Sequence, residues 1–369
     1  MKTQLASLEI HYLVKELKLL IDAKIDQIYQ PSKEELLLQF HVPSKGKKIL
    51  KITTGKFLYI TEEKEEYGSP SGFCMQMRKH LANARLRNIE QKESERIIEL
   101  AFEKKEGIKK LFIELFSKGN FILTDDKNTI IMALEKPEFK DRSIKPKQEY
   151  KYPKKEFNFF KLKLEELEEL LKKTKKDSIV TCLAVELGLG GTYSEEVCLL
   201  SGVDKNQKPA TIDQKSIKSI LSNIKSIINK KLSPRIIYEN QKVKEIVPFE
   251  VKLYEKLKQE KIDSFNEAIN RYVPKEPKKE ESVYEKQIEK IKRIIEKQKI
   301  QIKGFEESEI KQRKNAELIY QNYNIVNEVL IELNKAVKKH SWDEIKKRLK
   351  GHKVIKEVDA KEKKVVLEL

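Results

Sequence analysis

Between Tyr284 and Val337 the apolar residues fall on a single repeating step. Moving by four and then three from Tyr284 meets Ile288, Ile291, Ile295, Gln298, Ile302 and Phe305. The same register passes Glu309 and Gln312 to Ala316, Ile319, Tyr323, Val326, Leu330, Leu333 and Val337. A stripe that holds a period of 3.5 residues over this length packs along a narrow seam, whereas a helix lying on a globular body needs a wider apolar face. The expectation is a coiled-coil arm, with a soft spot near Gly304 and the polar steps at 298, 309 and 312. Such a seam needs a partner, and a homodimer through the arm is one way to supply it.

Composition agrees with a chain that is part rod. Charged residues make up 37% of the 369 positions and hydrophobic ones 39%, low for one compact globule. The formal net charge is +18. A surface rich in Lys and Glu would explain abundant charge of both signs, but not so large an excess of cations. A polyanionic partner, nucleic acid above all, is the better match, because lysines and arginines on phosphates release counterions. Cys74, Cys182 and Cys198 show no paired spacing, which predicts buried thiols in a reducing cytoplasm. No apolar run is long enough to span a membrane.

The first part of the chain reads as α+β. Ile10, Leu13, Val14, Leu17, Leu20 and Ile21 form one helix face, with Ser7 as the expected cap. Strands are predicted over Ile25–Tyr29, Glu35–Val42, Lys48–Thr53 and Phe57–Thr61, and a short helix over Phe73–Leu81. Period-two alternation resumes at Ile97–Phe102 and at Leu111–Phe116. The Lys118-Gly119-Asn120 turn then leads to Phe121–Thr124, and Thr129–Glu135 follows. The expected domain of antiparallel sheets with helices covers residues 1–173. Arg78, Lys79, Arg85 and Arg87 are candidate contacts to a nucleic-acid backbone.

Residues 160–177 are charged and helical, a connector. Ser178–Leu187 then reads as an amphipathic helix that stops at Gly188-Leu189-Gly190-Gly191, before a second helix from Tyr193 to Leu200. Glycines allow a hairpin backbone to approach a phosphate, so Gly188, Gly190 and Gly191 are candidate contacts. Taken alone, the pattern fits a phosphate-binding helix-hairpin-helix and a plain glycine-capped αα-hairpin equally well. The stretch between Asp213 and Glu239 favours the first. It holds Lys215, Lys218 and Lys225 and no acidic residue. The expected helix-hairpin-helix domain is 174–245, the arm 246–350, and a further element, with a hairpin around Asp359-Ala360-Lys361, begins at 351–369.

Several of these segments together resemble the NFACT family, the group of NEMF and RqcH. They are the Phe73–Leu81 helix, the Glu95-Arg96 step, the Lys118-Gly119-Asn120 turn and the run Arg142-Ser143-Ile144-Lys145-Pro146 leading into Tyr150-Lys151-Tyr152-Pro153. The Gly190–Glu196 run completes the set. The likeness covers nearly the whole chain and suggests an archaeal-type homologue lacking its carboxy-terminal part, with residues 351–369 as the truncated start of the family's tip element. It implies a ribosome quality-control factor that binds the large ribosomal subunit carrying a stalled peptidyl-tRNA. Such a factor recruits aminoacyl-tRNA, often alanyl-tRNA, for tailing without mRNA, and the ribosome performs the chemistry. The family's tRNA-contacting positions fall on Glu9, Glu95 and Arg96, with Glu at two positions that are usually Asp. The alternative is an adhesion or scaffold protein that binds a protein partner through its arm, as the family's fibronectin-binding members suggest.

No catalytic constellation is visible. His11, His41, His80, His340 and His352 have no metal-ligand spacing, and no phosphate-loop or dinucleotide fingerprint occurs. The expected cofactors and metals are none. The order of a strand-rich domain followed by a helical hairpin is similar to that of formamidopyrimidine-DNA glycosylases. Those enzymes use an amino-terminal proline, whereas this chain begins Met1-Lys2-Thr3. A shared scaffold does not carry a shared reaction.

Overall fold

The computed structural model describes residues 2–63, 69–139, 142–273 and 283–368. They fall into two units, one up to residue 273 and the other from 283 onwards.

Helix α1 (Ser7–Leu17) organises the first unit because two of its faces are apolar. Ile10, Leu13, Val14 and Leu17 enter the core of a sheet, while Leu8 and Tyr12 enter a separate helical core. The sheet strands are β1 (Lys24–Tyr29), β2 (Glu35–Val42), β3 (Gly46–Thr53), β4 (Phe57–Thr61), β5 (Arg85–Gln91), β6 (Ile97–Lys104), β7 (Gly107–Glu114), β8 (Asn120–Asp125) and β9 (Ile130–Ala133). They pair antiparallel in the order β4-β3-β2-β1-β5-β6-β7-β8-β9. Only Lys24 and Arg85 pair where β1 meets β5, so two meanders hinge there. They face each other across the core, where the rings of Phe40 and Phe102 stack at 6.4 Å. Helix α2 (Gly72–Leu81) covers one opening, capped by the Ser71 hydroxyl and burying Cys74, Met77 and Leu81.

The Lys118-Gly119-Asn120 turn has a steric reason. Gly119 has φ +72°, and a Cβ there would lie 2.2 Å from the Gly55 nitrogen, so the turn can pack on the neighbouring one only without a side chain. Asn120 then exchanges hydrogen bonds of 3.0 Å with the backbone of Glu135, which holds the end of β9.

The helical core holds α3 (Leu164–Lys173), the short α4 (Ile179–Thr181) running into a π turn (Cys182–Glu186), α5 (Gly191–Ser201) and α6 (Gln214–Ile228). The expected connector is therefore part of a core, since Leu167, Leu170 and Leu171 of α3 are buried. The helix expected over Ser178–Leu187 is wound wider after one α turn. Tyr12 binds α1 to this half by donating its hydroxyl proton to the Ile227 carbonyl, 2.7 Å away, at the end of α6.

Residues 246–273, expected as the start of the arm, belong to the first unit instead. β10 (Arg235–Glu239), β11 (Lys242–Val247) and β12 (Lys258–Lys261) form a second antiparallel sheet, and α7 (Phe265–Tyr272) packs beside α1 and β4. The Glu16 carboxylate of α1 accepts the N–H groups of Phe265 (2.9 Å) and Asn266 (2.7 Å), which fixes the start of α7.

In the second unit α8 (Val283–Gln321) runs straight through Gly304 and gives way to α9 (Tyr323–Val337) at Asn322. The interruption lies at Asn322, whose backbone leaves helical geometry (φ −110°, ψ 26°) and whose side-chain amide donates to the Leu318 carbonyl at 3.0 Å beside the backbone N–H, rather than at the glycine. The heptad stripe is exposed from Ile291 to Tyr323, with Phe305 73% accessible, while Val326 and Leu333 are half-buried; the side chains of Tyr284 and Ile288 lie outside the described ones. A short α10 (Trp342–Arg348) and the antiparallel pair β13 (Ile355–Asp359) and β14 (Lys364–Leu367) complete the unit. Asp359 closes that hairpin by accepting the N–H of Lys361 at 2.9 Å.

Candidate functional site

A cleft of about 640 Å³ opens where the amino-terminal segment, the loop before β6 and the glycine loop before α5 converge. Its lining includes Glu9, Glu95, Arg96, Gly188, Gly190 and Gly191, so six of the candidate residues meet in one place. Lys2, Ser94, Phe116, Lys155, Tyr193 and Glu245 complete the part of the wall that matters for charge and shape.

At its deep end lies a buried polar cluster. Glu9 has no exposed surface. Its carboxylate forms an ion pair with Lys2 and accepts the Tyr193 hydroxyl at 2.7 Å and the Ala6 N–H at 2.7 Å. The last of these bonds makes Glu9 the cap of α1. Ser7, the expected cap, is instead the first helical residue and donates its hydroxyl to the Ser94 carbonyl at 2.7 Å. Lys2 also pairs with Glu245 of β11 at 2.8 Å, and its carbonyl accepts the Tyr272 hydroxyl at 2.8 Å. Two carboxylates thus share one ammonium. Burial raises the pKa of Glu9, and the nearby Glu245 charge adds to that although Lys2 opposes it. For Lys2, burial acts downward but the attraction of Glu9 and Glu245 outweighs it, so its pKa is raised. A residue expected to touch tRNA is therefore an internal tie between α1, α5 and β11.

The other wall is open and of mixed charge, with Arg96 and Lys155 beside Glu95 and Glu186. Arg96 is half-buried, and the one hydrogen bond of its guanidinium among the described residues is a long 3.5 Å contact to the Leu5 carbonyl. Burial lowers its pKa and Glu95 opposes the shift; the guanidinium remains charged at neutral pH. Lys155 donates to the Ser94 carbonyl at 2.9 Å and pairs with Glu95 at 3.5 Å. Gly188 has φ +80°, and a Cβ built there would stand 2.7 Å from the Lys155 ammonium, so a side chain would displace that cation. The first turn of α5 faces the cleft with Gly190 as its N-cap and no capping side chain. An uncapped helix start and the Arg96 guanidinium, which has no ion pair among the described residues, suit an anion such as a phosphate. The buried Ser94 hydroxyl has no hydrogen-bond partner among the described residues and lines the same space.

The Gly190–Glu196 run is now explained residue by residue. Tyr193 ties to Glu9, Glu195 pairs with Lys205 at 3.0 Å, and buried Glu196 accepts the N–H groups of Lys252 (2.8 Å) and Leu253 (2.9 Å). Tyr193 was within reach of sequence reading, as the aromatic in that run. Lys2, Lys155 and Glu245 carried no local signal.

The remaining candidates lie away from the cleft. Arg78 donates to the Ile28 carbonyl at 2.8 Å and Arg85 to the Asp22 carbonyl at 2.8 Å. Arg87 is held by Asp22 and by Glu103, so its charge is neutralised. Lys79 is exposed without an ion pair among the described residues. Lys215, Lys218 and Lys225 project from the exposed side of α6, also without ion pairs among the described residues, while Ile217, Ile220, Leu221 and Ile224 bury the other side. Among the described residues no group of His, Cys, Asp and Glu could hold a metal ion, and no helix is long and apolar enough to cross a membrane.

A strand-rich half and a helical half meet at this cleft, and comparison with known proteins names the family. The family model described as NFACT N-terminal and middle domains matches residues 7–365. The chain belongs to the NFACT family. It is 33% identical over 372 residues to the archaeal Rqc2 homolog aRqcH of Methanocaldococcus jannaschii, covering 96% of this chain and 55% of that protein. It is 32% identical over 215 residues to the ribosome quality control complex subunit NEMF homolog of Drosophila melanogaster, covering 56% of this chain and 21% of that one. The chain thus spans about half of the archaeal relative and a fifth of the fly protein. Among solved structures, the fibrinogen binding protein from Staphylococcus aureus aligns with a TM-score of 0.60 at 17% identity, over 73% of this chain and 98% of that one. That likeness shows the fold.

Proposed function

We propose that this chain is a ribosome quality-control factor that binds RNA and positions tRNA on the large ribosomal subunit for tailing without mRNA. The observation that carries the reading is the cleft, which gathers Glu95, Arg96 and the 188–191 glycine loop, separated by some ninety positions in sequence, onto facing walls. Relatives named as ribosome quality control subunits supply the partner.

In this reading Arg96 and Lys155 face a phosphate of the tRNA, and the guanidinium can fork onto it or stack on a neighbouring base. The uncapped start of α5 supplies further N–H donors. The loop and the helices around it act as a helix-hairpin-helix module, and Lys215, Lys218 and Lys225 extend the contact along the backbone. In this reading the protein is a positioning device and the ribosome carries out peptide transfer. The exposed stripe of α8 and α9 acts as a coiled-coil arm, closed by a returning helix or by a second copy of the chain. All of this takes place in the cytoplasm.

Crosslinking in cells followed by sequencing of the bound RNA tests the reading. The expected result is tRNA together with large-subunit rRNA. Recovery of neither would refute it.

A further inference from the structure

A cationic surface lies outside the cleft. Helix α2 rests on the core-facing side of the β5–β9 meander, with the Phe73 ring 6.4 Å from Phe121. Its last turn carries Lys79 and His80. The chain then enters β5, where Arg85 pairs opposite Glu103, so the end of α2 lies beside the β6–β7 hairpin. On that hairpin Lys104 shares the sheet face of Phe102, and Lys109 pairs directly with Phe102. Both lysines therefore leave the sheet on the side that α2 covers.

The charges confirm the grouping. Burial, then Lys109, Lys79 and Lys104, lower the pKa of His80, and no carboxylate counters them. None of the three lysines makes an ion pair among the described residues. Glu103 is held by Arg87, and Glu106 at the hairpin tip makes no ion pair there either. A helix C-terminus favours cations in its own last turn, which accounts for Lys79 and His80. It does not account for Lys104 and Lys109, which arrive from another element. Asp125 lies opposite Lys109 across β7–β8, but its carboxylate accepts the N–H groups of Lys127 and Thr129 and forms no ion pair with these lysines among the described residues. Like charges gathered with so little compensation repel one another, and a phosphate chain relieves that repulsion. Lysines suit this role because each is a mobile point charge that needs no fixed acceptor geometry.

We propose that Lys79, His80, Lys104 and Lys109 form a second RNA-binding surface that grips phosphates without reading bases. The proposal rests on the reading of the chain as an RNA-binding factor and adds a surface that the cleft does not supply.

The test titrates a plain 20-base-pair RNA duplex and a tRNA transcript into wild-type protein, Lys79→Gln/Lys104→Gln/Lys109→Gln and Arg96→Ala, at several salt concentrations. The triple variant should bind the duplex about tenfold more weakly at low salt, with the slope of log affinity against log salt reduced by about two to three. Arg96→Ala should weaken the tRNA transcript selectively. A triple variant with unchanged duplex affinity and slope, beside an Arg96 variant that loses the transcript, overturns this proposal alone. Wild-type protein that binds neither RNA overturns this proposal and the functional reading together. Where the triple variant has a lower melting temperature, the single Lys104→Gln and Lys109→Gln variants must each lower the slope by about one, and unchanged slopes overturn the proposal.

Discussion

At the deep end of the cleft, Glu9 is enclosed by Lys2, Tyr193 and the Ala6 N–H, and every one of these contacts is internal. At its mouth, the Arg96 guanidinium keeps a single long hydrogen bond among the described residues and faces open space. The family resemblance assigns both residues the same role, and the structure separates them. A charge that is buried and fully bonded holds elements together, whereas a charge that is half-buried and under-bonded is ready for a ligand. Family position alone does not distinguish the two; burial and bonding do.

The largest expected effect is on the buried side. Glu9→Ala leaves Lys2 facing only Glu245 and strips the Tyr193 hydroxyl of its acceptor. It should cost about 2–4 kcal/mol, the penalty for leaving the Tyr193 hydroxyl and the Ala6 N–H without their acceptor while Glu245 still compensates Lys2. Urea denaturation followed by circular dichroism measures this, and a midpoint equal to wild type would break the contrast. Gly188→Ala should act more mildly, by roughly 1–2 kcal/mol, through its positive φ and the displaced Lys155 ammonium. The same variant should weaken anion binding in the cleft, which filter binding with a tRNA transcript reads directly.

Effects on the open side should leave the fold alone. Replacing Lys215, Lys218 and Lys225 with Gln should leave the melting temperature unchanged and reduce the salt slope of RNA binding by about two to three. An unchanged slope would remove α6 from the interface. The smallest effect concerns pH. Burial, with help from Lys15, pulls the His11 pKa down to about 4, where it packs 4.7 Å from Phe160. The folded protein thus keeps this imidazole neutral while the unfolded chain protonates near 6.5, so stability falls as pH drops from about 6.5 towards 4. His11→Phe should flatten that part of the profile in denaturation series at pH 7, 6 and 5.

Much of the first unit was legible because its strands alternate. Strands β2 and β4 have the limits read from their apolar runs, although both are buried on nearly every residue instead of alternating, and the helix over α2 follows from the spacing of Phe73, Met77 and Leu81. What escaped reading depends on pairings that no local pattern encodes. Glu9 meets Tyr193 across 184 positions, and Lys2 meets Glu245 across 243. Strand β12 is Lys-Gln-Glu-Lys, with no apolar alternation to betray it, so the sequence pattern places residues 246–273 with the arm although they complete the first unit. The arginines chosen for their charge alone fared unevenly. Arg87 was already neutralised by Asp22 and Glu103, a fact that only the fold brings out.

The most direct test of the account is the affinity of Arg96→Ala for a fluorescent tRNA transcript, measured beside its urea midpoint. The account predicts a loss of about tenfold or more in affinity, in keeping with the roughly 1.5–3 kcal/mol of a charged hydrogen bond, with the midpoint preserved. Wild-type affinity in that variant, or a loss that merely follows unfolding, would contradict it.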